Sequence, residues 1–95
     1  MFVCVVNYKT TAINENCQAN EVIQTEAQCK DAAENLGLTY NSKKNTGKHP
    51  IGCFYNGEDN EAYFNENVDG LNTWKVHGKY GGVCKIPGKL YHTKI

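Results

Sequence analysis

The chain has no arginine, a single serine, and no two cysteines spaced as CxxC; no apolar run approaches the ~18 residues of a membrane span. All ten basic residues are lysine, and ten acids balance them. A protein that tracks phosphate backbones usually has a basic excess and uses the bidentate arginine fork, so a nucleic-acid role is disfavoured. The want of closely paired ligands argues against a zinc site. Phe2 to Val6 is shorter than the ~7–15-residue apolar region of a secretory signal, and no basic residue precedes it. Any export signal is therefore expected to lie outside this sequence.

What the chain does have is five widely scattered cysteines, Cys4, Cys17, Cys29, Cys53 and Cys84, in 95 residues. That length makes one domain with a modest core, which cross-links would help to hold. Scattered half-cystines among turn-rich connections point to an oxidising compartment, secreted or cell-surface. The alternative is a cytosolic protein with reduced thiols. The odd count requires one thiol to be free, buried or shared with another chain.

The pattern of elements is α+β. Phe2 to Tyr8 is β-branched and aromatic, and predicts a strand that carries Cys4. Lys9 to Asn20 is polar and loop-like, and a short strand is expected around Val22-Ile23. Thr25 and Gln28 form a capping-box pair ahead of a helix over about 26–36, whose Cys29, Ala32, Ala33 and Leu36 make one apolar stripe. Glu26 and Lys30 can pair on its outer side, and Gly37 supplies the left-handed stop. Small residues on the buried stripe let the helix lie close to the sheet, with Cys29 pointing into the contact. Leu38-Thr39-Tyr40 reads as a strand and Asn41 to His49 as a lysine-rich loop ended by Pro50. Ile51 to Tyr55 and Glu61 to Asn65 should form a hairpin around Asn56-Gly57. Asn72 to His77, Gly81 to Lys85 and Leu90-Tyr91 are further strand signals. One helix on an antiparallel sheet of about four or five strands follows.

From Cys17 to Lys85 the order of residues resembles a poorly characterised cysteine-rich extracellular module of marine microbes and invertebrates. The likeness is carried by Cys17, Ile23-Gln24-Thr25-Glu26-Ala27-Gln28-Cys29, Ala32-Ala33 and Leu36-Gly37-Leu38-Thr39-Tyr40. Pro50-Ile51-Gly52-Cys53-Phe54, Ala62-Tyr63-Phe64-Asn65 and Val83-Cys84-Lys85 complete it. A weaker similarity is to the PAN/apple layout, in which a helix cysteine is tied to a central strand and the two ends of the domain are tied together. That layout implies Cys29–Cys53 and Cys17–Cys84 bonds, worth about 3.5 and 4.4 kcal/mol in the chain-entropy model. It divides the chain into an extension (1–16), the cysteine-rich module (17–85) and a tail (86–95). Cys4 is left unpaired or intermolecular. The module carries no function across with it.

No catalytic constellation emerges. Nothing in the sequence brings Cys4 to His49, His77 or His92, and the short signatures of thiol proteases are absent. Ser42 lies in a polar stretch with no strand-to-helix elbow. The acids Glu58, Asp59, Glu61, Glu66 and Asp69 read as a solvated edge before they read as an acid–base pair. Asn65 to Gly70 copies the opening of an EF-hand loop, but Val76 stands where the bidentate glutamate belongs, so an Asx-rich turn is the plainer reading. No metal and no cofactor are expected.

The sequence thus predicts a non-enzymatic extracellular binding or assembly module that recognises a glycan or a protein, without nucleic acid or a membrane span. Tyr55, Asn65, Trp74 and Tyr80 are the expected contact residues, since tyrosine and tryptophan combine a rigid apolar body with a polar tip. The alternative is a small secreted effector, a toxin or inhibitor, presenting Lys43-Lys44 on a rigid loop. Residues 58–69 carry acids and no base, and residues 73–95 carry lysines and no acid. The split reads as an internal complement or as a steering field between copies. Phe2 to Tyr8, outside the module and holding Cys4, is expected to be an edge strand through which copies self-associate.

Overall fold

A computed structural model describes residues 2–47, 49, 51–67 and 79–92. Strand β1 (Phe2–Thr10) is followed by a 3-10 turn (Ala19–Glu21) and helix α1 (Glu26–Leu36). Then come β2 (Thr39–Lys44), β3 (Gly52–Asn56), β4 (Glu61–Asn65) and β5 (Tyr80–His92). The strands form one five-stranded sheet in the order β1-β5-β3-β4-β2. The helix packs on one face of it, and the fold is α+β.

Helix α1 is bounded as its sequence dictates. The Thr25 side chain accepts the Gln28 N–H at 3.2 Å, satisfying one orphan donor of the first turn. At the other end Gly37 is left-handed, Leu38 N–H donates to Ala33 and Gly37 N–H to Glu34, which is a Schellman stop. The buried stripe is Cys29, Ala32 and Ala33. Their short side chains bring the helix close enough for Cys29 to bond Cys53 on β3, with a Cα–Cα distance of 5.3 Å. Cys17 bonds Cys84 on β5, 67 residues away in sequence, and so ties the polar segment after β1 to the sheet.

Among the residues whose burial is described, large apolar side chains in the interior are few. The largest fully buried side chains are Phe54, Ile23, Val83, Asn65, Cys29, Cys53 and Cys84, so half-cystines occupy positions that leucine fills elsewhere. Burying Phe54, Ile23 and Val83 stabilises the fold by about 1.5–3 kcal/mol each. The two cross-links together are of the same order in the chain-entropy model.

Five departures from expectation follow. The sheet is mixed: β2 pairs with β4 in parallel, while the other pairings are antiparallel. The Schellman stop turns the chain directly from α1 into β2, and Thr39 N–H donates to Asn60 O, so β2 enters beside the start of β4. Asn41 to Lys44 are therefore strand, and only the residues after Lys44 are loop. The β3–β4 turn does not pivot on Gly57. Asn60 takes the left-handed position (φ 58°), and Asn56 Oδ1 accepts the Glu58 N–H. Val22 makes a single bridge to Cys84 in place of a strand.

The last departure is the length of β5. Ile86-Pro87-Gly88 has the composition of a turn, yet β5 runs through it to His92. The β1–β5 register changes by one residue between Val5–Lys89 and Asn7–Ile86, which sets Pro87 and Gly88 both opposite Val6. A bulge of this kind needs no ladder donor from the proline. β3 pairs with β5 only from Tyr80 to Gly82. Past Cys84, which Val22 bridges, β1 and β5 continue among the described residues as a two-stranded ribbon, and its part from Ile86 to His92 is roughly 20 Å long. The Asn72–His77 strand signal, Trp74 and the EF-hand-like residues Val68 to Gly70 lie outside the described residues.

Replacing both cysteines of one bond by serine should lower unfolding free energy by about 3.5 kcal/mol for Cys29–Cys53 and by about 4.4 kcal/mol for Cys17–Cys84. Urea denaturation measures both losses. Non-reducing peptide mapping of native protein should recover these two pairs, and a Cys17–Cys29 peptide would contradict the structure.

Candidate functional site

The expected contact residues do not converge. Tyr55 lies on the helix side of the sheet, half-buried, and its hydroxyl donates to Thr11 O at 2.7 Å. Tyr80 belongs to the other face, edge-on to His49 at 4.6 Å and to Phe54 at 5.6 Å. There His49, Phe54, Tyr63 and Tyr80 form an aromatic layer, with Phe54 and Tyr63 stacked at 5.3 Å.

Asn65 is fully buried, and its role is internal. Its Nδ2 donates to Thr46 O at 2.9 Å and to His49 O at 3.1 Å. Its Oδ1 accepts from Thr46 N at 3.2 Å and from Asn67 N at 3.1 Å. One side chain thereby does what a turn of backbone ladder would do, and fastens the loop after β2 against the end of β4. Its amide is consumed by the fold, so Asn65 is a strut and not a surface contact.

Lys43 and Lys44 are placed on β2, not on a presented loop. Lys43 Nζ lies 3.6 Å from Glu66 Oε2, and Lys44 Nζ lies 5.3 Å from the centre of the Tyr63 ring. Ser42, also on β2, is half-buried.

One recess was not foreseen from the sequence. It is an open cleft of about 520 Å³ between the segment leading into α1 and the ends of β2, β3 and β4. Register explains its floor. Cys53, Phe64 and Lys43 are cross-strand neighbours, and the Cys29 bond identifies their common face as the helix side. Val22 and Ile23 close the inner wall, with Ile51 and Phe64 as further apolar lining and Thr25, Glu26, Lys43 and Glu66 at the rim.

Gly52 makes this geometry possible. Its φ is +82°, and a Cβ there would lie 2.6 Å from Ile23 O, so only glycine lets the Val22–Ile23 segment sit on the start of β3. No periodicity in the sequence announces such a contact. The glycine between Ile51 and Cys53 was its sole trace.

The rim is mixed in charge. The Lys43–Glu66 pair is about half exposed on both sides and so contributes little to stability. Glu26 is better held, because the Tyr40 hydroxyl donates to its Oε2 at 2.6 Å. That hydrogen bond, helped by Lys30 and Lys43, holds the Glu26 carboxyl below the usual range. Burial first and Glu26 second push the Tyr40 hydroxyl up. Tyr63 is pushed up to about 12 by burial and by its bond to Glu61, and burial raises Tyr55.

Among the described residues, no three His, Cys, Asp or Glu side chains gather as a metal site. No described helix is long and apolar enough to cross a membrane. Comparison of the chain with protein-family models, curated proteins and solved structures finds no match.

Two predictions follow from the struts around the cleft. Asn65→Leu removes four hydrogen bonds from backbone groups and should cost about 2–4 kcal/mol, with faster amide exchange at Thr46 and Asn67. Urea denaturation and hydrogen exchange measure it. Glu26, with its folded pKa depressed, contributes stability above the ordinary carboxylate pKa that is lost as pH falls through the folded value. Tyr40, Tyr55 and Tyr63 act at the other limb: their contribution is complete below the ordinary tyrosine pKa and disappears as pH rises through the raised ones. Thermal melts against pH should therefore fall off at both ends, and Glu26→Gln should flatten the acid limb.

Proposed function

We propose that this chain is a non-enzymatic extracellular module that binds a protein or glycan ligand in the cleft beside the start of α1, and that it also assembles with itself through Phe2 to Tyr8. The cleft carries the binding reading. Its volume falls within the range of specific ligand sites, and it joins an apolar floor of Val22, Ile23, Ile51 and Phe64 to a polar rim. Cross-links brace it on both sides. Cys29–Cys53 fixes α1 against β3, and Cys17–Cys84 holds the strand that Val22 bridges. A site held in this way loses little conformational entropy on binding.

Its lining favours a protein segment over a sugar. Phe64, the one aromatic side chain in the lining, is 7% exposed and offers little flat surface for a pyranose ring. An apolar side chain of an extracellular partner fits the floor, and Glu26, Lys43 and Glu66 can meet its polar flanks. Two disulfides in so small a domain support an oxidising, secreted or cell-surface location.

Screening against extracellular proteins and a glycan array, followed by amide shift mapping on the labelled module, tests this. The expected result is a ligand that shifts Thr25, Lys43, Phe64 and Glu66. Lys43→Glu should weaken it about fivefold to tenfold. Lys79→Glu, at the far end of β3, should leave it unchanged. Absence of any ligand, or a ligand whose shifts avoid the cleft, would reject the site.

A further inference from the structure

The three sheet edges left open among the described residues differ in how they are defended. The edge strand β2 ends in Lys43-Lys44 and is interrupted by a register shift between Tyr40 and Ser42. The side of β5 beyond β3 presents Lys85, Pro87, Gly88 and Lys89, with the bulge at its centre. Charge, proline and bulges are the devices by which sheets discourage pairing with another chain. The outer edge of β1 has none of them from Phe2 to Tyr8: no charged residue, no proline, and the extra residues of its bulge lie on β5.

That undefended edge also belongs to the least supported part of the fold. Among the described residues, β1 from Phe2 to Asn7 has β5 as its single strand neighbour, and β5 past Cys84 has no strand neighbour but β1. A lone two-stranded ribbon is marginal in water and needs a further strand or layer. Ile86, at its base, is a large apolar side chain that stands exposed, at 37%.

We infer that two copies of this chain associate edge to edge through β1, antiparallel about a twofold axis within Cys4 to Val6, so that their sheets become continuous. This rests on the reading of the module as self-associating, and adds the edge, the direction and the closure. Antiparallel pairing centred there uses the whole uncharged stretch and carries the lysine at the end of each stretch, Lys9, away from its symmetry mate. In the structure Lys9 pairs with Glu21 at 3.0 Å within its own chain. The contact is isologous, since each copy offers the same edge, and it consumes the undefended edge of both. A closed dimer results and not a fibre, because β2 and the far side of β5 stay protected.

The charge distribution agrees with association away from the acidic end. Gly57 N–H donates to Lys79 O, which places the start of β5 beside the turn that bears Glu58 and Asp59. β5 then runs antiparallel to β3, carrying Lys85 and Lys89 away from those acids. Of the lysines after residue 73, Lys79 thus stands beside the acidic turn, and Lys85 and Lys89 do not.

Sedimentation of the full chain and of Cys4→Ser without reductant, with both disulfides intact, from micromolar to millimolar concentration, tests the inference together with amide exchange at both extremes. The expected species is a dimer of the 10.6 kDa chain that persists in Cys4→Ser. Amides of Phe2 to Tyr8 should gain protection with concentration. Val5→Lys should raise the dimer dissociation constant about tenfold or more, since it sets like charges across the axis. In wild-type protein the exchange pattern needs no variant to fold. A monomer at every concentration overturns both self-association and the β1 interface. A dimer whose protection lies elsewhere leaves self-association standing and overturns the interface argued here.

Discussion

The contact between Cys29 and Cys53 is the constraint on which the other features depend. It forms because the buried stripe of α1 is built from a half-cystine and two alanines, which lets the helix approach the sheet at short range. Larger residues at Ala32 and Ala33 would lift the helix and separate the sulfurs. Once the helix is fixed over β3, the extended residues before it must cross the lower end of the sheet. There Val22 bridges Cys84, and Ile23 passes over Gly52. The cleft is the space left between that crossing and the ends of β2 and β4. It follows from how the helix is tethered.

Local signals in the sequence were read with fair success, and non-local ones were not. The bounds of α1 were legible because Thr25, Gln28 and Gly37 act within a few residues of the groups they satisfy. The β3 and β4 strands were legible from their β-branched and aromatic content. The disulfide pairing came from a family resemblance and not from spacing, which leaves the connectivity of scattered cysteines open. Pro87-Gly88 does not announce its role, for a physical reason. The same dipeptide serves a turn or a bulge, and which one it becomes depends on whether a distant strand, here β1, is present to pair across it. β2 was shortened for a similar reason: its asparagine, serine and lysines have weak strand preference, and pairing with β4 makes them extended.

Contact residues were the least legible, because side-chain chemistry does not reveal burial. Asn65 illustrates this. A buried asparagine is costly unless its amide is saturated, and here the carbonyl and amide ends both work on the loop after β2. In sequence it cannot be told from an asparagine that meets a ligand. The tyrosines divide in the same way. Tyr40, Tyr55 and Tyr63 each spend their hydroxyl within the chain, on Glu26, Thr11 and Glu61. An aromatic surplus in a protein short of leucine and isoleucine is, here, mostly a means of filling space with side chains that can still bond at their tips.

The two ends of β5 are physically unlike, and this gives the molecule its polarity. At its start the strand is enclosed: Gly81, Gly82, Val83 and Cys84 are buried between β3, β1 and the Cys17 bond. Past Lys85 it leaves the central strands and, among the described residues, has β1 as its one strand neighbour. A cross-link placed at Cys84, just where the enclosed part ends, fixes the root of the ribbon and cannot stiffen its far end. The cleft lies near that same root, since Val22 touches both. The cleft proposed as a ligand site and the ribbon whose free edge is proposed to pair therefore meet at one junction, the Val22–Cys84 bridge.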